Sequence, residues 1–477
     1  MEPERHTLQL HTQDRTHQIA FTGAPLLMDV LQAQGVRFAH PCGGRGACKK
    51  CAVEAAGNVS PPDETEQNAG VRLSCRMRLL GDCEVTLREL AGFAVRSGGD
   101  TAPAALLLAA DIGTTTLELR LYGEATGDVF AEAAALNPQI GYAADVIGRI
   151  TAALEGKGER LRRQVSDALQ GMIAGYPPVR RAVIAGNTAM LYLLTGRDPK
   201  SLAYAPFAAD CLFGFTEEIL SVPAYLPRCS GAFTGADLTC AVLASGMTEQ
   251  SGTNLLCDVG TNGEIALWHR GMLYVTSAAV GPAFEGAGIS CGMGGAPGAI
   301  DKVWTVGSAL DYRVIGGGEP RGICGSGLID AVAALLRLRL IDENGTMEGD
   351  FVPVAPGVAL TRQDIRQVQL AKAAVAAGIE TLLAAAGAAS KEVQTLYIAG
   401  GFGSHLDPRS AAAVGLFPPA LTPKVQVLGN AALDGAAKLL LNERLRETAD
   451  GIARAAVPVP LGGSALFAEA FLRHMNF

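Results

Sequence analysis

The chain has 477 residues, of which 49% are hydrophobic and 18% charged, and its formal net charge at pH 7 is −8. This length and apolar content predict several folded domains, and the negative charge without a long Lys/Arg run argues against a nucleic-acid partner. No apolar run approaches the roughly 20 residues of a membrane-spanning helix, and the charged first residues are unlike a signal peptide, so we expect a cytoplasmic protein with no membrane partner.

Four of the eleven cysteines lie close to the N-terminus with the spacing C-x5-C-x2-C-x23-C. They are Cys42, Cys48, Cys51 and Cys75, and the first three belong to the segment PCGGRGACKKC. This spacing is typical of the thiolates that hold a plant-type 2Fe-2S cluster, and the intervening glycines allow the chain to turn sharply around it. A tetrahedral zinc site is the alternative, because Cys48-x2-Cys51 is also half of a zinc motif.

The residues around these cysteines predict a small β-grasp domain over residues 1–93. HTLQL and HQIAFT are typical of a β-hairpin, PLLMDVLQAQG of a short helix, and CAVEAAG and CEVTLREL of two further strands. With PCGGRGACKKC and RLSC as the specific matches, this part of the chain resembles a 2Fe-2S ferredoxin. The polar segment at residues 94–104, rich in Gly, Ala and Pro, is predicted to be a linker.

The remainder of the chain is internally repeated. ALLLAADIGTTTLELRLY at 105–122 is similar to NLLCDVGTNGEIALWH at 254–269, and AVIAGNTAM at 182–190 is similar to LYIAGGFGS at 396–404. Two similarities in the same order indicate a duplicated fold. We therefore predict two lobes, at residues 105–250 and 251–477, that face each other across a cleft.

Each lobe contains a D-x-G-T turn whose chemistry suits phosphate. The glycine lets backbone amides approach phosphate oxygens, the threonines add hydroxyl donors, and the aspartate can hold Mg2+ through its water shell. Either turn alone could be an ordinary tight turn, but the pair predicts a clamp for ATP. The predicted phosphate-binding residues are Asp111, Gly113, Thr114, Thr115 and Thr116 in the first lobe, and Asp258, Gly260, Thr261 and Asn262 in the second.

This α/β pattern resembles the two-lobed, ribonuclease H-like ATPases related to actin, sugar kinases and heat-shock chaperones. The resemblance makes DIGTTT and DVGTNGE the two phosphate loops and IAGGFG the adenosine loop, which places Gly400, Gly401 and Phe402 beside the nucleoside. A second glycine-rich turn, GICGSGLIDAV, opens a predicted helix. Its residues Gly325, Ser326 and Gly327 are either nucleotide contacts or a plain helix cap.

Hydrolysis of ATP needs a carboxylate or a water-orienting side chain in the cleft. Three residues near the predicted loops have suitable chemistry, namely Asp237 in TGADLT, Glu264 after the second phosphate loop and Asn187 in AGNTAM, and Asp145 in YAADVIGRI is a weaker fourth candidate. Asp237 is equally suited to capping the helix that follows it. The sequence does not choose among the three, because geometry decides which group is a base.

With its ferredoxin-like part and its two predicted lobes taken together, the chain resembles the reductive activators of corrinoid proteins. PCGGRGACKKC, DIGTTT, GNTAM, DVGTNGE, GPAFEGAGI, GICGSGLID and IAGGFGSHLDP carry the resemblance. It implies an ATP-dependent enzyme that passes a low-potential electron from its 2Fe-2S cluster to the inactive Co(II) corrinoid of a methyltransferase partner and so restores Co(I). The implied cofactors are the cluster, ATP and Mg2+, and the implied partners are the corrinoid protein, an upstream electron donor and a second copy in a possible homodimer.

Three other functions remain open from the residues. They are an ATP-gated electron donor to another low-potential reductase or dehydratase, a redox-sensing small-molecule kinase, and a redox scaffold with vestigial phosphate loops. Some members of the resembled family carry a middle domain before the ATPase, and residues 94–104 leave no room for one, so a docking or dimerisation role of such a domain is not expected here.

Overall fold

The computed structural model describes residues 5–11, 16–33, 51–69, 71–87, 94–97, 103–401 and 405–477. Its N-terminal part is a mixed five-stranded sheet in the order β2-β1-β5-β3-β4, with β1 antiparallel to β2 and parallel to β5. Leu8, Leu10, Phe21 and Leu31 belong to its buried core. The elements are β1 (Arg5–His11), β2 (Thr16–Thr22), α1 (Leu27–Ala33), β3 (Ala52–Val59), α2 (Glu64–Ala69), β4 (Arg72–Leu73) and β5 (Leu79–Leu87).

The first lobe is built on a seven-stranded sheet in the order β11-β12-β10-β7-β8-β9-β6. Its strands are β6 (Ala94–Ser97), β7 (Leu106–Ile112), β8 (Thr116–Gly123), β9 (Val129–Leu136), β10 (Val179–Gly186), β11 (Phe215–Ile219) and β12 (Val222–Leu226). Its helices are α3 (Val146–Ala152), α4 (Gly158–Ile173), α5 (Thr188–Thr195), α6 (Lys200–Ala203) and α7 (Ala236–Ser245).

The predicted linker at 94–104 differs from the structure in its first residues. Ala94–Ser97 forms β6, which pairs antiparallel with β9 at the edge of the first lobe. The four residues Ala-Val-Arg-Ser have no strand-like alternation, and the strand forms because pairing satisfies the backbone groups that the edge of β9 would otherwise expose.

The second lobe repeats the same order of strands in a six-stranded sheet, β22-β21-β13-β14-β15-β23. In both lobes three antiparallel strands are followed by a crossover to a strand parallel to the first one, β10 beside β7 and β21 beside β13. The strands of this sheet are β13 (Thr253–Val259), β14 (Gly263–His269), β15 (Met272–Ala278), β21 (Val393–Ala399), β22 (Val425–Gly429) and β23 (Ala456–Pro458). The predicted duplication and α/β fold class are confirmed.

In the described part of the chain, two smaller sheets and six α-helices complete the second lobe. The small sheets contain β16 (Ala299–Val306), β17 (Ala309–Val314) and β18 (Gly322–Ile323), and β19 (Phe351–Ala355) with β20 (Val358–Thr361). The helices are α8 (Gly325–Arg337), α9 (Arg362–Ala386), α10 (Pro408–Ala413), α11 (Ala431–Leu441), α12 (Leu445–Ala455) and α13 (Ala465–Arg473). Among the described residues α9 is the one helix with the length and apolarity of a membrane span, and 78% of its apolar window is buried in the fold.

Helices α7 and α11 lie between the two large sheets. Cys240 and Leu243 of α7 pack with α11 against β7 and β10 of the first lobe, whereas Leu238 and Val242 of α7 pack against β13 and β14 of the second. The two helices meet at Gly435, where an added Cβ would lie 2.1 Å from the carbonyl oxygen of Cys240. Because α7 gives one face to each sheet, it joins the lobes through its side chains.

Candidate active site between the lobes

The first predicted phosphate loop is the tight turn between β7 and β8. Gly113 is required there, because a Cβ would lie 2.6 Å from the carbonyl oxygen of Thr116. The side-chain amide nitrogen of Asn137 donates to the Gly113 carbonyl at 2.8 Å, and the guanidinium of Arg149 donates to the Thr114 carbonyl. These bonds fix the backbone of the loop from its lobe side.

Arg149 is a fully buried cation beneath this loop, with no exposed surface. It also donates to the carbonyl of Ala143 at 3.1 Å and to the side-chain oxygen of Gln139 at 3.2 Å. Burial lowers its pKa to about 9, and the nearby carboxylates of Asp145 and Glu285 act in the opposite direction. Arg149 therefore supplies a positive charge under the loop as well as hydrogen bonds.

The second predicted phosphate loop is the equivalent turn between β13 and β14. The Gly260 amide donates to the Asn262 carbonyl at 3.0 Å, which closes the turn behind Asp258. The predicted adenosine loop lies against it, because a Cβ on Gly400 would be 2.7 Å from Oδ1 of Asp258. Gly400 has a φ of +89°, so both its conformation and its surroundings require glycine.

The structure brings the two loops together. The hydroxyl oxygens of Thr115 and Thr261 are 2.9 Å apart across the cleft. Both hydroxyls also lie within hydrogen-bonding distance of Oε2 of Glu285, at 2.5 Å for Thr115 and 2.6 Å for Thr261. Glu285 comes from the glycine-dense segment after β15 and was not among the predicted site residues.

Carboxylates collect around these loops, and burial raises the pKa of each one named here. The pKa of Asp258 is raised to about 7 and that of Asp237 to about 6, while that of Asp111 is raised well above its ordinary value. The charge of Asp237 adds to the increase at Asp111 and at Asp258. The carboxylates therefore raise one another's pKa, and a divalent cation bound among them would favour their ionised forms.

Asp111 gives the most specific indication that a cation fits this site. Its Oδ1 atom is buried and accepts no hydrogen bond from the residues that the structure describes, while Oδ2 accepts one from the side-chain amide of Asn430 at 3.1 Å. The same Asn430 amide donates to Oε2 of Glu118 at 3.0 Å. A buried carboxylate oxygen without a donor is costly, and hydrated Mg2+ would satisfy it.

The three predicted hydrolytic residues have different surroundings. Asn187 caps α5 through the Met190 amide at 2.9 Å, and its side-chain amide donates to the Thr114 hydroxyl at 3.1 Å. Asp237 lies in the first turn of α7 and accepts from the Leu238 amide at 2.8 Å. Glu264 is 8% exposed on β14. Both polar atoms of the Asn187 side chain thus make structural hydrogen bonds, whereas the carboxylates of Asp237 and Glu264 can each accept further ones.

The start of α8 is tightly packed. A Cβ on Gly327 would lie 2.2 Å from the Ile300 carbonyl oxygen, and the Ser326 hydroxyl donates to the Asp301 carbonyl at 3.1 Å. Gly325, Ser326 and Gly327 are all buried. These contacts account for the glycines through packing against β16, and the predicted nucleotide contacts of this turn stay a prediction, as does that of Gly401, which is exposed.

Two of the four predicted cluster ligands lie close together. The sulfur atoms of Cys51 and Cys75 are 3.2 Å apart, and both residues are buried. Two converging buried thiols fit a shared iron-sulfur centre. Cys42 and Cys48 lie outside the described residues, as does Phe402 of the predicted adenosine loop.

Models of three protein families match successive parts of the chain. The 2Fe-2S iron-sulfur cluster binding domain matches residues 10–80, the RACo middle region residues 106–250, and the C-terminal domain of RACo, described as the ASKHA domain, residues 252–477. The "Corrinoid activation enzyme RamQ" of Eubacterium limosum is 31% identical over 419 residues, which cover 78% of this chain and 70% of that protein. The chain belongs to the family of reductive activators of corrinoid proteins.

Two further comparisons show a more distant relative and a solved structure with the same fold. The "[Co(II) methylated amine-specific corrinoid protein] reductase" of Methanosarcina barkeri is 28% identical over 306 residues, 56% of each chain. A solved structure, "Reductive activator for corrinoid,iron-sulfur protein", superposes with a TM-score of 0.74 over 99% of this chain and 98% of that one, at 24% identity. The latter shows that the activator has the same fold along nearly its whole length.

The comparisons also correct one expectation about the activator. A middle domain before the ATPase was not expected from the sequence, yet the family's middle-region model matches residues 106–250. This range coincides with the first lobe, predicted at 105–250, and not with the segment at 94–104. The expectation was wrong because it looked for an extra domain before the lobe.

Proposed function

We propose that this chain uses ATP to drive the transfer of one electron from a 2Fe-2S cluster to the Co(II) corrinoid of a methyltransferase partner protein, which returns the cobalt to Co(I). The observation that carries the proposal is the contact between Thr115 and Thr261 across a cleft whose buried carboxylates have raised pKa values. The first domain of the same chain is of the 2Fe-2S type. Membership of the activator family supports the substrate class.

Each part of the cleft has a defined role in this proposal. Asp111 and Asp258 hold Mg2+ through its water shell, the amides and hydroxyls of the two phosphate loops bind the terminal phosphates, and Gly400 and Gly401 lie beside the nucleoside with Phe402. Arg149 and Asn187 keep the first loop in its conformation. Asp237 and Glu264 remain candidates to orient water during hydrolysis.

The cluster supplies single electrons at low potential when it is bound. Cys51 and Cys75 are proposed to hold it together with Cys42 and Cys48. For one electron each 59 mV of uphill transfer costs about 1.4 kcal/mol, so an acceptor several hundred millivolts below the donor is out of reach at equilibrium. ATP turnover would change the conformation of the complex with the partner and thereby the acceptor's potential.

The remaining partners and the location follow from the same proposal. A separate low-potential donor reduces the cluster, the protein is cytoplasmic, a homodimer is compatible with the function, and neither nucleic acid nor a membrane takes part. The net charge of −8 agrees with the absence of a polyanionic partner.

The proposal is tested by mixing the full-length protein, a chemical reductant, ATP and a purified Co(II) corrinoid protein, and recording the absorption band of Co(I). We expect the band to form with ATP and not without it. Formation that is independent of ATP would refute the proposal. Phosphorylation of a small metabolite, with ATP turnover indifferent to the corrinoid protein, would instead identify a redox-sensing kinase, and reduction of a different low-potential acceptor would identify another ATP-gated donor.

A cysteine pair tests the separation of the two sites. Cys48→Ser should abolish the visible absorption of the cluster while the affinity for ATP in calorimetry stays within about threefold of the wild type, because the ligands and the phosphate loops belong to different domains. Cys83→Ser is the control, since Cys83 lies buried on β5 and outside the predicted ligand set, and should keep the cluster. Loss of ATP binding by a folded Cys48→Ser protein would contradict the assignment.

A further inference from the structure

Glu285 is held in the cleft by a rigid turn. It is the last residue of a 3-10 turn, Pro282–Glu285, whose Ala283 and Phe284 are buried in the core of the second lobe. The turn ends at Gly286, which has a φ of +78° and whose Cβ would lie 2.6 Å from the Met293 amide nitrogen. No residue other than glycine fits there, so the position of Glu285 is set by the fold.

Three donors converge on the Glu285 carboxylate from both phosphate loops. The hydroxyls of Thr115 and Thr261 donate to Oε2 at 2.5 Å and 2.6 Å, and the backbone amide of Thr261 donates to Oε1 at 3.2 Å. These are among the donors that the proposed function gives to the terminal phosphates of ATP. The Glu285 carboxylate therefore lies next to the proposed position of the terminal phosphate, because the same hydroxyl and amide groups can donate to either.

A hydroxyl group has a single hydrogen, so it donates either to Glu285 or to a phosphate oxygen. When a triphosphate takes the protons of Thr115 and Thr261, the carboxylate loses its two shortest hydrogen bonds but stays beside the phosphate. A partly buried carboxylate that has lost its donors is a stronger base. The donor best placed to replace them is a water molecule between the carboxylate and the phosphorus.

Resting on the proposed function, we propose that Glu285 is the general base of ATP hydrolysis in this cleft. The oxygen of the attacking water forms a bond to the γ-phosphorus, and the bond from the γ-phosphorus to the bridging oxygen breaks with its electron pair leaving on ADP. The proton of the water passes to the Glu285 carboxylate and from there to the released phosphate or solvent. Thr115 and Thr261 act as positioning residues that hold the base until ATP binds.

The charges around Glu285 are compatible with this role. Burial is the largest influence and raises the pKa of Glu285, while the hydrogen bonds from Thr115 and Thr261 and the charge of Arg149 on α3 lower it. The net direction is a raised pKa, which brings a carboxylate closer to the range in which it accepts protons efficiently at neutral pH. The earlier candidates are less well placed, since the Asn187 amide is not basic. Asp237 accepts from the Leu238 amide and Glu264 from the Ser277 hydroxyl, and neither of these donors belongs to a phosphate loop.

The test compares wild-type full-length protein with Glu285→Gln, Glu285→Asp and the control Glu249→Gln, whose side chain is exposed. Calorimetry gives ATP affinity, and rapid mixing gives single-turnover hydrolysis. We expect Glu285→Gln to bind ATP within about threefold of the wild type and to hydrolyse it about 100- to 1,000-fold more slowly. Its rate should also lose the decrease at low pH that protonation of the base causes in the wild type. Glu285→Asp should retain that decrease at a lower rate.

Some contrary results would refute only the role of Glu285, and one would also refute the proposed function. Hydrolysis within threefold of the wild type in Glu285→Gln refutes the base, and tighter ATP binding with unchanged hydrolysis would show that the carboxylate only blocks the empty clamp. Loss of ATP binding in folded Glu285→Gln would make Glu285 a ligand of the nucleotide. If the wild-type protein itself does not bind ATP, the proposed function fails and the base with it.

Discussion

Asn430 offers a sharp test of the contact between the lobes, because it has two separable roles. Its side-chain oxygen accepts from the Leu433 amide at 2.8 Å and so caps α11. Its side-chain nitrogen donates to Asp111 and Glu118, at 3.1 and 3.0 Å. The isosteric change Asn430→Asp keeps the cap but puts a carboxylate oxygen where the donor was, about 3 Å from two other carboxylates.

The cost of this change follows from the crowding of negative charge. Two like charges about 4 Å apart at an effective dielectric constant of about 20 repel by about 4 kcal/mol, so the three carboxylates will hold one more proton than the wild-type pair. At pH 7, which is about three units above the ordinary pKa of an aspartate, keeping a proton on that aspartate costs about 4 kcal/mol of folding free energy. At pH 5.5 the same cost is about 2 kcal/mol. The added carboxylate has a higher pKa in the folded state than in the unfolded state. The loss of folding stability is therefore largest at high pH and disappears as the pH falls towards about 4.

Thermal unfolding followed by circular dichroism at pH 7 and pH 5.5 measures this difference. We expect Asn430→Asp to lower the Tm of the ATPase by about 10 °C at pH 7 and by about half as much at pH 5.5. Asn430→Ser keeps a capping oxygen without adding charge, and should lose about 1 to 2 kcal/mol at both pH values. An equal loss at the two pH values in Asn430→Asp would refute the electrostatic reasoning.

Two further changes test the packing of the fold. Gly435→Ala should cost about 2 to 3 kcal/mol in urea unfolding, because the new Cβ meets the backbone of Cys240 at 2.1 Å, whereas Gly451→Ala on the open face of α12, with no atom within 4 Å, should be neutral or stabilising; equal effects would contradict the close helix contact. Lys372 is 1% exposed and donates to the Asn476 carbonyl, and burial lowers its pKa to about 8, so wild-type stability should rise with pH between about 8 and 10.5, where the unfolded chain keeps a proton that the native state releases. Lys372→Met should remove that rise, and an unchanged slope would assign it to other groups.

The sequence predicted the parts of the fold that rest on local pattern. Apolar strands that end in a D-x-G-T turn are recognisable one at a time, and their repetition in order predicted the two lobes, which the strand orders confirm. The first-lobe and second-lobe loops were correctly placed opposite each other, as the 2.9 Å contact between Thr115 and Thr261 shows. The local sequence pattern did not predict β6, because four residues that resemble a linker become a strand only through pairing with β9.

Two of the missed residues of the candidate site lie far along the chain from the loop that they contact. Asn430 reaches Asp111 across 319 positions and Glu285 reaches Thr115 across 170, so no motif contains both partners. Arg149 lies nearer to the first loop but in a helix, where a single arginine is usually taken for a surface residue. Its burial beneath a loop of carbonyl acceptors is a property of the packed lobe and has no local sequence signal.

The positions of Asn430 and Asp237 suggest how events in the cleft would reach the rest of the molecule. Asp237 is in the first turn of α7 and Asn430 caps α11, so both helices that join the lobes begin at the carboxylate cluster. The N-terminus of a helix favours negative charge, and a bound triphosphate with its cation would change the charge at both helix starts together. The helices then meet at Gly435 with backbone in contact, which leaves little freedom for one to move without the other. A charge change in the cleft would therefore act on the starts of two helices that are in backbone contact with each other.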